Sequence, residues 1–433
     1  MTIHIIGGGF AGVEAAWQLA HHAQIPLTLS EMKPLRFSPA HKNEDLAELV
    51  CSNSFKAERT GSAAGLLKAE MEALGSLCVA VAKETRVPAG GALAVDRDAF
   101  SREITARIAA EPLIELRREE VTEIPAEGMV VIAAGPLASD ALSESIQALC
   151  GGSLHFYDAA APIVTVESVD MEHAFAAARY GRGGEDDYLN CPLNREEYEA
   201  FEAALVTAER AHVHDFDVYE GCMPIEVLAS RGRDSIRYGP MKPVGLRDPR
   251  TGRRPWAVLQ LRKENAAGTL YNLVGFQTNL KFGEQRRVFG MIPALAHAEF
   301  ARYGVMHRNT FIDAPRILGC DFQCKDRPGL YFAGQITGVE GYMESAASGI
   351  LAGRNAARAM QGLPPLVLPP VTMMGALSRY ISDPTAKDFQ PMGANFGLLP
   401  PLEEKTRDKR ARYEALAARA LNCFTSNTAH SGL

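Results

Sequence analysis

Hydrophobic residues at the start of the chain follow a strand, helix, strand pattern. A short apolar run covers Ile3–Ile6, and residues 10–22 then repeat apolar side chains at helical spacing. Residues 26–29 predict a second strand, which ends at Glu31. Because a helix joins the two strands, the pattern predicts a βαβ unit with parallel strands.

The same alternation returns later in the chain after a stretch of different texture. Apolar runs at 130–133 and 330–334 each end in a glycine turn, and a helical pattern covers 344–360. Between them, from about residue 167, acidic helical segments alternate with strand-like runs. The pattern therefore predicts an α/β fold, a doubly wound sheet that carries an inserted α+β domain.

The turn after the first strand has the glycine spacing of a dinucleotide site. It consists of Gly7, Gly8, Gly9, Phe10, Ala11 and Gly12. Gly7 permits the tight turn, Gly9 lets a pyrophosphate approach the backbone, and Gly12 lets helix and strand pack closely. The helix N-terminus offers free N–H groups to the phosphates. Glu31, 19 residues after Gly12, stands where a ribose-binding acid belongs.

Two later segments favour FAD over NAD as the bound nucleotide. Residues 130–136 (VVIAAGP) resemble the second glycine motif of two-dinucleotide-type flavoproteins. Residues 329–335 (GLYFAGQ) resemble their late motif, with Gln335 in place of the usual acid after Gly334. The chain has one complete G-x-G-x-x-G, so we expect NAD(P)H to visit transiently. These motifs predict a Rossmann-like FAD-binding fold of the two-dinucleotide type.

Charge is distributed unevenly along the chain. The net charge of −7 gives no global field that would attract a nucleic acid. Residues 167–230 hold 15 acidic and 4 basic side chains, whereas residues 231–316 hold 16 basic and 6 acidic ones. The second stretch fits either a local phosphate-binding face or a solvated surface on which the charges mix.

Cysteine usage and hydropathy indicate the cellular compartment. Eight cysteines are scattered along the chain, with no secretory signal and no apolar run long enough to cross a bilayer. We therefore expect a cytoplasmic protein with reduced thiols and no membrane association. Cys320 and Cys324 form one close pair, but without a second pair or nearby His ligands they predict no metal site.

Several longer motifs occur in order between Ile3 and about Pro400. They are AELVCSNS at 47–54, VPAGGALAVDR at 87–97, FYDAAAP at 156–162, YLNCP at 188–192, EGCMPIE at 220–226, GPMKPVG at 239–245, RYGVMHRNT at 302–310, GVEGYMESAA at 338–347 and ANFG at 394–397. Together they resemble the folate- and FAD-dependent tRNA (uracil-5-)-methyltransferases. The resemblance covers almost the whole chain, and so many long matches in order make it highly specific.

The resemblance implies a reaction and its partners. Methylenetetrahydrofolate would give its methylene to reduced FAD, which would pass it to C5 of the T-loop uridine in the T-arm of tRNA. Reduced FAD would also supply the hydride, and NAD(P)H would restore the reduced form. We infer no stable protein partner.

Two cysteines match the catalytic cysteines of that family. Cys222 matches the one that attacks uracil, and Gly221 and Pro224 beside it predict a turn into a helix. A thiolate added at C6 turns C5 into a nucleophilic enolate carbon, and a base must later remove the C5 proton. Cys51 matches the second cysteine, close to the flavin, for which C5 proton removal and protection of the flavin adduct both remain open.

Further candidates lie in the shared motifs. Tyr342 is expected either to stack on a pterin or flavin ring or to pack ordinarily, and Glu340 precedes it in the same motif. His307 is expected either to contact the cofactors or to be structural. Arg231 and Lys242 flank the Cys222 segment and suit RNA phosphates.

The motifs divide the chain into four parts. The FAD-binding domain is predicted at 1–165 and 301–400, an inserted RNA- or substrate-binding domain at 166–300, and a helical tail at 401–433. Two alternatives remain: a related flavoenzyme acting on another RNA uridine, in rRNA or at a wobble position, and a non-catalytic flavin- and RNA-binding protein. The two cysteine motifs argue against the second alternative.

Overall fold

The computed structural model describes most of the chain, with short gaps. The described residues are 2–38, 40–151, 154–159, 161–181, 184, 187–211, 223–386, 389–403 and 407–431. The strands are β1 (Ile3–Ile6), β2 (Leu27–Glu31), β3 (Ser54–Ala57), β4 (Arg86–Val87), β5 (Ala92–Val95), β6 (Ile114–Arg118), β7 (Met129–Ile132), β8 (Leu154–Ala159), β9 (Ile163–Thr165), β10 (Phe175–Ala176), β11 (Tyr188–Leu193), β12 (Ala257–Lys263), β13 (Leu270–Leu273), β14 (Phe300–Arg302), β15 (Met306–Phe311) and β16 (Leu330–Phe332).

The helices lie on both sides of the strands in chain order. They are α1 (Phe10–Ala23), α2 (Ala63–Ala73), α3 (Leu77–Glu84), α4 (Arg97–Ala110), α5 (Asp140–Cys150), α6 (Arg195–Thr207), α7 (Ile225–Ser230), α8 (Ser235–Tyr238), α9 (Phe282–Phe289), α10 (Ala314–Ile317), α11 (Tyr342–Met360), α12 (Met373–Ile381) and α13 (Lys409–Ser431). Among the described residues, every helix is too short or too polar to span a bilayer.

A parallel sheet of five strands forms the first half of the fold. Its order is β16-β7-β1-β2-β6, and every neighbouring pair is parallel. The strands β1, β7 and β16 are almost entirely buried, as expected for a sheet covered on both faces. The predicted doubly wound α/β fold is confirmed.

Two glycines let α11 cross α1 closely. A Cβ on Gly349 would lie 2.2 Å from the backbone oxygen of Ala11, and a Cβ on Gly353 would lie 2.6 Å from that of Ala15. The two helices therefore approach at the level of their backbones. This crossing fixes both helix N-termini relative to the parallel sheet.

An antiparallel sheet of six strands forms the second half. Its order is β10-β11-β12-β13-β9-β14, and its hydrophobic cluster runs from Val164 to Leu295. The parallel sheet has a separate cluster that begins at Ile3 and includes Phe424 near the end of the chain. An α+β part with its own core is thus inserted into the α/β part, whereas the domain boundaries given above stay predictions.

Candidate active site

A cleft of about 1260 Å³, partly open to solvent, lies at the carboxyl ends of β1, β2, β7 and β16. This is the edge at which open α/β sheets bind nucleotides. Typical small-molecule pockets enclose roughly 300–1,000 Å³, so the cleft has room for an extended dinucleotide.

The cleft collects most of the residues that the sequence singled out. Those lining it are Gly7, Gly8, Gly9, Phe10, Ala11, Glu31, Cys51, Gly334, Gln335, Glu340 and Tyr342. Gly12 lies behind the cleft, where a Cβ would come within 1.8 Å of the Gly7 oxygen. His307 lies on β15 opposite Asp158, but its side chain is outside the described part of the structure. Cys222 also lies outside the described residues.

The glycine turn and Glu31 form one hydrogen-bonded unit. The backbone N–H of Gly8 donates to Oε2 of Glu31 at 2.8 Å, and that of Lys33 donates to Oε1 at 3.0 Å. Gly7 has φ +104°, and a Cβ there would lie 2.6 Å from the Ala133 oxygen. A Cβ on Gly9 would meet nothing within 4 Å. The turn thus presents open backbone to the cleft beside a fixed carboxylate.

The N-terminus of α1 provides the positive end of a helix dipole at this turn. Gly9 is the N-cap and supplies no side-chain cap, and the first turn of α1 contains no acidic residue. Its N–H groups and dipole therefore remain available to an anion. This cradle fits the pyrophosphate of FAD, with Glu31 at the ribose.

Tyr342 links the N-terminus of α11 to the Cys51 segment. Its hydroxyl accepts a hydrogen bond from the Cys51 backbone N–H at 2.8 Å, and its ring stacks on Phe10 with centroids 4.7 Å apart. Burial, followed by the charge of Cys51, raises the pKa of Tyr342 well above its usual range. The phenol therefore stays protonated, and Tyr342 both lines the cleft and positions Cys51.

Three arginines that the sequence analysis did not assign surround the Cys51 segment. Arg97, Arg262 and Arg302 donate hydrogen bonds to residues 49–53. Two of them lie in motifs quoted above, VPAGGALAVDR and RYGVMHRNT, so their positions were visible. Their convergence was not, because the pairs of contacting residues are up to 252 positions apart.

The helix that follows Cys222 is firmly anchored. Pro224 is the N-cap of α7, in agreement with the predicted turn into a helix. The carboxylate of Glu226 accepts hydrogen bonds from the Thr278 hydroxyl at 2.9 Å and from the Asn279 N–H at 2.8 Å. Burial raises the pKa of Glu226. The segment just after Cys222 is therefore fixed to residues 277–279.

The remaining described cysteines have other surroundings. Cys78 and Cys191 are buried, and burial raises the pKa of both thiols. Within the described part of the chain, no group of three or more His, Cys, Asp or Glu side chains could hold a metal ion. Of the cysteines that the structure describes, Cys51 is the one that lines the cleft.

Comparison with known proteins gives consistent matches. The family model for glucose inhibited division protein A matches residues 2–364. The chain is 59% identical over 423 residues to the methylenetetrahydrofolate--tRNA-(uracil-5-)-methyltransferase TrmFO of Geobacter sulfurreducens, covering 97% of both chains. It is 58% identical over 432 residues to the protein of the same name from Moorella thermoacetica, covering 99% of this chain and 98% of that one.

A solved structure supports the fold. The structure of Aquifex aeolicus GidA in its form II crystal has a TM-score of 0.71 and 17% sequence identity, and the match covers 98% of this chain and 73% of that one. At this identity the likeness concerns the fold alone.

Proposed function

The chain belongs to the family of methylenetetrahydrofolate--tRNA-(uracil-5-)-methyltransferases, and we propose that it methylates C5 of a uridine in tRNA with methylenetetrahydrofolate as carbon donor. The T-loop uridine of the T-arm is the proposed target. The cleft carries this proposal, because it brings the nucleotide-binding turn and Cys51 onto one surface.

The residues of the cleft fit FAD. The turn Gly7–Gly9 and the N-terminus of α1 would hold its pyrophosphate, Glu31 would bind its ribose, and Gly334 and Gln335 would contact it from the end of β16. When bound, FAD supplies the redox chemistry that carries the one-carbon unit and the hydride, and NAD(P)H is the proposed reductant.

The chain's own residues would handle the uracil. The Cys222 thiolate would add to C6, so that a C–S bond forms and C5 becomes an enolate carbon able to take the one-carbon unit. A base then removes the C5 proton, and breaking the C–S bond returns the thiolate. Cys51, which lines the cleft, is the proposed base for that proton.

The surface after α7 suits RNA. Arg231 and Lys242 are exposed there, and the side chain of Tyr238 is 72% exposed. The Arg237 guanidinium lies 3.7 Å from the ring centroid of Trp256 and 5.2 Å from that of Tyr238. Exposed aromatic rings between cations are typical of surfaces that stack unpaired bases and bind phosphates. We therefore place the tRNA contact on this surface.

An assay with two methyl donors tests the proposal. Unmethylated tRNA is incubated with the FAD-loaded protein, NAD(P)H and methylenetetrahydrofolate, and in parallel with S-adenosylmethionine instead. We expect 5-methyluridine in the first reaction and none in the second. Mapping the modified nucleoside distinguishes the T-loop from a wobble position, and an rRNA substrate in a third reaction tests the remaining alternative. No product on tRNA would overturn the proposal.

A further inference from the structure

The segment around Cys51 is held by guanidinium groups from three separate elements. Arg97, at the start of α4, donates to the backbone oxygen of Leu49. Arg302, at the end of β14, donates to the backbone oxygen of Val50. Two contacts come from Arg262 on β12: one to Ser52 Oγ at 2.9 Å and one to Asn53 Oδ1 at 3.0 Å. The positions on both sides of Cys51 are therefore bound to a cation.

The cluster carries more positive than negative charge. Glu264 accepts from Nε and Nη2 of Arg97 at 3.0 and 2.8 Å, which neutralises one guanidinium. Within the described residues no other carboxylate forms an ion pair with these three arginines. Arg262 is 6% exposed, so water screens its charge little. Two unneutralised guanidinium charges thus remain beside the thiol.

The other charged groups near this segment fit the same picture. Lys42 lies close enough to Arg302 and Arg97 that their charges, after burial, lower its pKa. Glu48 is paired with Lys33 at 3.1 Å. Tyr342 stays protonated, and the charge of Cys51 raises the pKa of Arg97, Arg262 and Arg302 alike. The cations and the sulfur are therefore electrostatically coupled.

We propose that Arg97, Arg262 and Arg302 are positioning residues that hold Cys51 as a thiolate in the resting enzyme. The inference deepens the proposed function, since it rests on Cys51 belonging to the active site. A nearby cation favours the charged form of a thiol, and the thiolate is the reactive form. Because Arg262 and Arg302 belong to the antiparallel sheet, the charge state of Cys51 depends on the contact between the two sheets.

The acidity of Cys51 tests this inference directly. The FAD-loaded protein is alkylated with iodoacetamide over a range of pH, and the rate is followed by mass spectrometry on the peptide that contains Cys51. Ultraviolet thiolate absorbance, as the difference between the protein and its Cys51→Ser variant, gives the same titration without a reagent. We expect the midpoint to lie about one pH unit or more below the ordinary value for cysteine of about 8.5.

Charge variants separate electrostatics from packing. Arg302→Gln should raise the midpoint by about one pH unit, and Arg302→Lys, which keeps the charge, should restore most of the shift. The control is Arg316→Gln, because that side chain is 84% exposed and pairs with Asp313. Flavin absorbance confirms that each variant is folded and loaded. A wild-type midpoint near 8.5, or one unchanged by Arg302→Gln, overturns the inference.

The methylation assay keeps the two proposals apart. If Cys51 titrates as proposed but tRNA gains no 5-methyluridine, the cationic cluster stands and the proposed function fails. If methylation occurs and Arg302→Gln leaves the titration unchanged, the function stands and the cluster is merely structural.

Discussion

Cysteine reactivity in this chain follows the surroundings of each residue. Cys51 is half-buried in the cleft wall, next to three guanidinium groups, whereas Cys78 lies beside Glu14 in the core. Burial and the neighbouring carboxylate raise the pKa of Cys78, so that thiol stays protonated and unreactive. A sequence shows eight cysteines, and their environments separate a reactive one from a structural one.

The proposed attack by Cys222 on uracil makes a single substitution decisive. Cys222→Ala should retain FAD, because the glycine turn and Glu31 lie elsewhere in the fold, but should form no 5-methyluridine. Flavin absorbance and nucleoside analysis by mass spectrometry measure the two properties. Cys320→Ala, at another partly exposed cysteine, is the matched control and should keep activity. Methylation by Cys222→Ala at the wild-type rate would remove the assigned role.

At the scale of elements, the crossing of α1 and α11 controls the nucleotide site. In Gly349→Ala the new Cβ would lie 2.2 Å from a backbone oxygen, so the helices must separate. Overpacking of this kind costs about 1–3 kcal/mol, and we expect a lower melting temperature together with weaker FAD binding. Thermal unfolding and a flavin fluorescence titration measure both effects.

Gly283→Ala is the matched control for that substitution. Gly283 lies in α9, and a Cβ there would meet nothing within 4 Å. Alanine favours a helix over glycine by up to about 1 kcal/mol, so the melting temperature should stay the same or rise slightly. Equal losses in the two variants would show that the close crossing does not limit stability.

The cap of α12 predicts a pH dependence of stability. Both carboxylate oxygens of Glu70 accept from the backbone N–H groups of Met373 and Met374 at 2.8 Å. Burial raises the pKa of Glu70 from 4.5 to about 7, with the two hydrogen bonds opposing it. The folded state therefore binds a proton more tightly than the unfolded state. Its contribution is full below about pH 4.5 and is lost as the pH rises through about 7.

Glu70→Gln should flatten that dependence. The free energy of unfolding, measured with urea across this pH range, should fall less steeply with rising pH in the variant than in the wild type. Glu72→Gln on the same helix is the control, because the Glu72 side chain is 56% exposed and pairs with Lys83. Parallel curves for wild type and Glu70→Gln would contradict the assignment.

Elements with strong local patterns are predictable from the sequence, and those set by distant contacts are not. The helical pattern at 10–22 agrees with α1 to within one residue, and the acidic pattern at 195–210 contains α6. Helices of four residues, such as α8 and α10, have too few turns for a periodic pattern. Their conformation depends on the packing around them.

The same distinction applies to the site. The glycine turn is predictable because its residues are contiguous and each glycine has a local geometric reason. The contact of Arg262 with Ser52 spans 210 positions and depends on how two sheets meet. Asn53 marks that meeting, since its amide donates to the backbone oxygens of Val95 and Lys263, both at 2.9 Å. Nothing in the local pattern at either position shows this.

At the scale of the whole molecule, a net charge of −7 coexists with a basic stretch at 231–316. If that stretch holds tRNA phosphates, binding releases counterions, and the logarithm of the association constant falls linearly with the logarithm of salt concentration. Each phosphate contact adds about 0.7–0.9 to the slope. We therefore expect affinity for tRNA to fall steeply with added salt.

Two substitutions locate that effect on the proposed surface. Arg231→Gln and Lys242→Gln should each weaken binding and reduce the salt slope by about 1, without changing FAD content. Arg117→Gln is the control, because Arg117 is exposed on β6 at the far edge of the parallel sheet and pairs with Glu115 at 2.8 Å. A fluorescence anisotropy titration with labelled tRNA at several salt concentrations gives the slopes. If the Arg117 variant lost as much slope as the other two, attraction would come from the overall charge, and the surface after α7 would not be the tRNA contact.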